Sequence, residues 1–295
     1  MTARDSSTGP RSLAGLSPIW LVLVGILSVQ FGASVAKSLF DEVSPTTIVW
    51  LRLATSALVL IAVARPRLSG RSRADWLVVL AFGLVLGLMN WGFYQSMARI
   101  PIGLAVTIEF VGPLTLAVLG SRRARDLLWV VLAGTGVLLL GVEPGELNWP
   151  GVAFALLAGA AWAAYILLSA QTGRRWPGVD GLALASVVAM LLLTPLALGR
   201  YADQLVDTRI LVLGAVVGLL SSAIPYTVEL MALRSLRPAV FSILMSLEPA
   251  AAALAAFVVL GELLAPLQLL AMACVVAASV GATRSGATIA DPVPD

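Results

Sequence analysis

Residues 106–113 read VTIEFVGP, and the reading of this stretch decides the fold. Glu109 is a carboxylate in a run otherwise suited to lipid, and Pro113 follows it by one helical turn. MSLEPAAA at 245–252 repeats the pattern nearer the C-terminus, with Glu248 directly before Pro249. Both stretches belong to a chain of 295 residues that is 59% hydrophobic and only 12% charged, with a mean hydropathy of +0.97. Soluble domains are about 45–50% apolar. A membrane-spanning helix needs roughly 20 mainly apolar residues. Ten such segments follow one another here, at 18–38, 46–64, 76–97, 102–120, 127–142, 150–170, 180–199, 210–231, 239–259 and 265–283. The sequence therefore predicts an all-α membrane protein with both glutamates inside spans.

What lies between the segments is short, so no soluble catalytic or nucleotide-binding domain fits. The single cysteine, Cys274, lies in the last apolar segment and has no partner for an internal disulfide. With no histidine in the chain, soft-metal and zinc chemistry are not expected. No GxxxxGK[ST] loop is present, so ATP is not the direct energy source. An intramembrane enzyme would need a nucleophile with a base, paired aspartates or a metal-binding histidine, and the sequence offers none of these. The expectation is a non-enzyme without cofactor or metal. The net charge of +3 is not a nucleic-acid footprint, because its arginines fall in an alternating pattern.

Assigning alternate loops to the cytoplasm puts fourteen basic residues on one side: Arg4, Arg11, Arg65, Arg67, Arg71, Arg73, Arg122, Arg123, Arg125, Arg174, Arg175, Arg234, Arg237 and Arg284. Lys37, Arg99, Arg200 and Arg209 are the four on the other. This positive-inside bias places both termini in the cytoplasm, and the abundance of arginine over lysine fits a GC-rich bacterial source, hence a bacterial plasma membrane. The halves also resemble one another. Met97-Ala98 and Met231-Ala232 each end an apolar segment, and the prolines Pro113 and Pro249 follow the two methionines by 16 and 18 residues. A five-helix unit repeated once must enter the membrane in opposite senses, as in secondary transporters that bind substrate between inverted repeats. The expected organisation is a polar tail at 1–17, a first repeat at 18–142, a second at 143–283 and a tail at 284–295.

Glu109, Glu229 and Glu248 are acids within spans, and Arg52 is a cation about seven residues inside the second span, roughly 10 Å deep at 1.5 Å per residue. An ionisable group in hydrocarbon is costly and faces a cavity or a partner. Two readings follow: structural pairs, such as Arg52 with one glutamate, or a pathway. Three acids against one deep arginine leave carboxylates unpaired, which favours the pathway. The prolines add to this. Pro113 has no N–H for the carbonyl of Glu109, Pro249 frees that of Met245 while biasing Glu248 away from helical geometry, and Pro225 frees that of Ser221. Open backbone at membrane depth is tolerated when buried in protein or lining a cavity.

In the first span Gln30, Ser34 and Lys37 are spaced i, i+4, i+7 and form one polar stripe. Lys37 either snorkels to the interface or belongs to the pathway. Asn90, Tyr94 and Gln95 in the third span, Tyr165 in the sixth and Tyr226 in the eighth supply further polar groups. The spacings Gly83–Gly87 and Gly214–Gly218 and the run LAGAAWAAY read as helix-packing surfaces. A buried carboxylate that either a proton or a substrate ammonium can neutralise is a physical basis for antiport.

The stretches GILSVQFGASVAKSLF, WLRLA, GLMNWGFYQSMARIPIGLAVTIEFVGPL, WAAYILLS, SSAIPYTVELMALRSL and FSILMSLEPAAAALAAFVVLGELLAPLQLLA resemble the drug/metabolite transporter superfamily of EamA type. Within it they are most similar to the threonine/homoserine exporter branch. The likeness runs from about residue 18 to 283. It implies ten helices in two inverted five-helix repeats and proton-coupled export of small metabolites, amino acids first, by a monomer or homodimer. The implied site puts a substrate ammonium near Glu109, Glu229 or Glu248. The substrate carboxylate then lies near Arg52, Lys37 or the donors Gln30, Asn90, Tyr94, Tyr165 and Tyr226. One departure stands out: the first repeat has Gly112, not an acid, directly before its proline. Export of cationic or lipophilic drugs is the alternative reading, which a deep arginine disfavours.

Overall fold

The computed structural model describes residues 18–119, 127–139, 148–225, 228, 236 and 238–284. Within them the chain is helical, with no strand. The helices are α1 (Pro18–Lys37), α2 (Pro45–Ala64), α3 (Arg73–Met97), α4 (Ile102–Glu109), α5 (Val111–Leu119), α6 (Leu127–Leu139), α7 (Trp149–Gly173), α8 (Asp180–Tyr201), α9 (Thr208–Gly218), α10 (Pro238–Met245), α11 (Glu248–Leu260) and α12 (Pro266–Arg284). Seven stretches are long and apolar enough to cross a membrane, and Ile102–Leu116, Leu127–Gly136 and Thr208–Ser222 are shorter apolar helices. Each of the ten apolar segments read from the sequence thus contains helix.

Local signals start and stop these helices. Ser44 caps α2 by accepting from the Thr47 N–H at 3.1 Å, ahead of Pro45 at the first helical position, where a proline's missing N–H costs nothing. Ser72 and Asp75 form a reciprocal capping box on α3, which satisfies two of the orphan N–H groups of a helix start. Asn148 accepts from the Gly151 N–H at 2.9 Å to open α7. Gly261, in the left-handed region at φ 69°, closes α11, a conformation that favours glycine.

Lipid is as apolar as leucine, so small residues rather than large ones let membrane helices approach. The interior is accordingly rich in fully buried alanines, such as Ala155, Ala158, Ala185, Ala189, Ala252 and Ala271, while Leu58, Leu77, Leu191 and Leu254 point outward. α3 packs on α7 and α8, and α2 on α8 and α9. The turn 219–223 and α11 both pack on α1, α4 packs on α7 and α11, and α6 on α12. Glycines set the closest crossings. A side-chain carbon on Gly83 would meet Val188 and the Ala185 carbonyl, and one on Gly87 would meet Leu192 and Ala189. Gly214 and Gly218 repeat this between α9 and α2, against Leu51 and Thr55.

Two spans change helix near a proline. α4 ends at Glu109, a turn follows at Phe110, and α5 begins at Val111. α10 and α11 are separated by a turn at Ser246 and Leu247. One expectation is corrected here. Glu248 is not displaced from helical geometry; it is the first residue of α11, and Pro249 follows it within the first turn. The fixed φ of proline starts that helix, and the two residues before Glu248 absorb the break.

Candidate functional site

Three polar side chains lie at one depth of the bundle. Gln30 is seven residues back from the end of α1, Arg52 seven residues in from the start of α2, and Glu109 seven residues in from the start of α4. These three helix ends adjoin: α1 leads into α2 through a short turn, and Lys37 Nζ donates to the Ile100 carbonyl just before α4 at 2.8 Å. Seven residues of helix amount to about 10 Å, so the three groups share a layer about that far below this end.

Arg52 is the centre of the layer. Its Nη2 donates to the Ser221 carbonyl at 3.1 Å, the carbonyl that Pro225 leaves without its helical donor. This carbonyl lies in the π-helical turn 219–223, and the cation that reaches it is 169 positions away. The guanidinium carbon stands 5.7 Å from the centroid of the Tyr94 ring, within cation–π range. Arg52 Nε, Tyr94 Oη and Ser221 Oγ are buried with no hydrogen-bond partner among the described residues.

Glu109 is 8% exposed, and among the described residues no ion pair or hydrogen bond reaches its carboxylate. Arg52 acts on its charge through space without closing to ion-pair distance. Structural pairing of Arg52 with a glutamate, the bland reading of the sequence, is thus not what the described residues hold. Gln30 is buried, with Oε1 also unpartnered, while its own carbonyl accepts from Ser34 Oγ at 2.9 Å. On the opposite side of α1, Ser28 Oγ donates to the Leu220 carbonyl at 2.7 Å, and Gly32 lies against the Ser221 side chain.

Other candidates are placed elsewhere. Lys37 neither snorkels nor lines the layer: it pairs with Glu262 at 2.5 Å, whose other oxygen accepts from the Ile102 N–H at 3.1 Å. This clamp ties the ends of α1, α4 and α11 together above the layer. Asn90 Nδ2 donates to the Leu86 carbonyl of its own helix. Gln95 donates to Thr46 Oγ1 and accepts from Arg99, joining α3 to α2. Tyr165 packs on Phe82 with ring centroids 5.1 Å apart. Glu248 is half-buried at the start of α11, and Pro113 and Pro249 are buried at the two breaks. Glu229 and Tyr226 lie outside the described residues.

Gly112 has a physical reason. Its backbone and that of Gly159 in α7 approach so closely that a side-chain carbon at either position would collide with the other helix, the Glu109 carbonyl included. Sequence reasoning missed Ser221 as the arginine's acceptor and Glu262 as the lysine's partner. The only signals for them were the carbonyl freed by Pro225 and the left-handed glycine before Glu262.

The sequence model of the EamA-like transporter family matches residues 16–142 and 149–284. The chain belongs to this family. Among curated relatives, the threonine/homoserine exporter RhtA of Salmonella typhimurium (strain SL1344) is 41% identical over 276 residues, 92% of this chain and 93% of that protein. RhtA of Escherichia coli (strain K12) is 41% identical over 273 residues, 90% of this chain and 92% of that protein. A crystal structure aligns with a TM-score of 0.61 over 90% of this chain and 97% of its own, at 18% identity, a likeness in fold alone. This EamA-like protein is therefore a multi-pass membrane protein of a transporter family, not an enzyme.

Proposed function

We propose that this chain exports small neutral amino acids, threonine and homoserine first, by alternating access and proton antiport across a bacterial plasma membrane. One observation carries the reading: among the described residues, a buried carboxylate without a bonded cation and a guanidinium with an unused donor lie in the same layer. That pair is the complement of a zwitterion, with the substrate ammonium at Glu109 and its carboxylate at Arg52. Tyr94 Oη, beside the Arg52 guanidinium and buried without a partner among the described residues, is suited to a substrate hydroxyl. The names of the 41% identical relatives support the same substrates. A proton and an ammonium compete for Glu109, and only the neutralised carboxylate crosses low dielectric cheaply. Glu229 and Glu248 are the alternative proton carriers.

The architecture in this proposal is ten spans in two inverted five-helix repeats, 18–142 and 143–283, with both termini cytoplasmic. Exchanging the two halves turns the α3–α7 contact into that between α1 and the α9 span, and the α3–α8 contact into α2–α9. The paired glycines Gly83–Gly87 and Gly214–Gly218 sit at those crossings. The twofold match of the family model supports the same division, and the arginine bias supports the orientation.

Efflux of labelled threonine, homoserine and a panel of other neutral amino acids from proteoliposomes, with and without an imposed pH gradient, tests the proposal. Gradient-accelerated efflux of threonine or homoserine is expected. If folded protein moves no neutral amino acid, the substrate assignment fails.

A further inference from the structure

At the edge of the bundle, where α6 packs mainly on α12 and α5, lies a groove of about 890 Å³. Leu128, Trp129, Ala273, Val280, Gly281 and Arg284 are among its lining residues. The volume falls within the roughly 300–1,000 Å³ of ligand-holding clefts. Its walls are apolar except at one end, where Arg284 is the only charged lining residue. In sequence, α6 is preceded by Arg122, Arg123 and Arg125 against a single acid, Asp126.

Three features specify the occupant. From Ala273 to Arg284 the groove follows eleven residues of helix, about 16 Å, which is about half of the roughly 30 Å hydrocarbon core. Its length is therefore that of one leaflet. The Trp129 indole lies flat on Gly281, where a side-chain carbon would approach the ring to 2.5 Å. Trp129 is thus fixed against α12 three residues before Arg284. A second copy, related by a twofold axis normal to the membrane, would set Arg284 against its own mate.

We propose that the groove binds one acyl chain of an anionic phospholipid from the leaflet at the Arg284 end. Arg284 holds the phosphate, and Trp129 and Leu128 line the acyl chain. The site is separate from the Arg52 layer and does not depend on the transport reading.

The test uses full-length protein in phosphatidylcholine vesicles containing a fixed fraction of either dibrominated phosphatidylglycerol or dibrominated phosphatidylcholine. The Trp129 emission is taken as the difference between wild type and Trp129→Phe. Quenching by the anionic lipid is expected at about fivefold lower mole fraction than by the neutral one, the preference one basic side chain confers at an anionic surface. It should persist in Arg284→Lys, vanish in Arg284→Gln and weaken with salt. Equal quenching by both lipids, or a preference unchanged in Arg284→Gln, overturns the proposal. So does a Trp129 that neither lipid quenches in a cross-linkable dimer that Ala277→Phe, in the groove wall, dissociates, since a second copy then covers the groove.

Discussion

Among the described residues Arg52 makes one backbone hydrogen bond, to Ser221, and leaves Nε buried and unused. A guanidinium held in this way has its orientation fixed and a donor to spare, which a purely structural arginine would not need. Replacing it by glutamine should weaken threonine by about 10- to 100-fold, the range for a hydrogen bond to a charged group of about 1.5–3 kcal/mol. Threonine amide, which has no carboxylate, should change little. Competition of both compounds against labelled threonine in proteoliposomes measures this, and equal loss for the two would make Arg52 a structural pin. The depth and charge of Arg52 and Glu109 were legible in the sequence because a charge within an apolar run has no bland surface position. The acceptor of Arg52 was not, since Ser221 comes from a distant segment that only tertiary packing brings near.

At the scale of elements, the breaks in the α4–α5 and α10–α11 spans followed from Pro113 and Pro249, because a missing N–H acts locally. Gly112 was a puzzle in sequence terms and is resolved by packing: the α4–α5 break and α7 meet backbone to backbone at Gly112 and Gly159. Gly112→Ala should therefore destabilise the fold by about 1–3 kcal/mol through overpacking. Gly134→Ala, at a helical position with open space around it, should be neutral or stabilising by up to about 1 kcal/mol. Unfolding midpoints in the same detergent compare the two, and equal effects would contradict the close approach. Pro249 starts α11 and leaves the Met245 carbonyl without its helical donor. Pro249→Ala restores that donor and should stiffen the hinge, lowering turnover more than substrate affinity. Unchanged turnover would mean that the break at Ser246–Leu247 does not move during transport.

Over the whole molecule, one end carries a clamp that no single segment announced. Lys37, the Ile100 carbonyl, the Ile102 N–H and Glu262 join α1, α4 and the turn after α11, directly above the Arg52 layer. Alternating access requires this end to open, so the ion pair should be coupled but not dominant. A double-mutant cycle of Lys37→Met and Glu262→Gln should give a coupling of about 0.5–3 kcal/mol in unfolding free energy. Additive effects would remove the pair from the account. The number of apolar segments and the halves' likeness were readable from composition and spacing, whereas the clamp depends on the left-handed turn at Gly261 that aims Glu262 inward. The central claim is that the carboxylate in VTIEFVGP carries the coupling, and efflux of labelled threonine from proteoliposomes holding wild type or Glu109→Gln tests it most directly. The account predicts that an imposed pH gradient accelerates wild-type efflux and leaves the folded mutant's unchanged; acceleration retained in the mutant would contradict it.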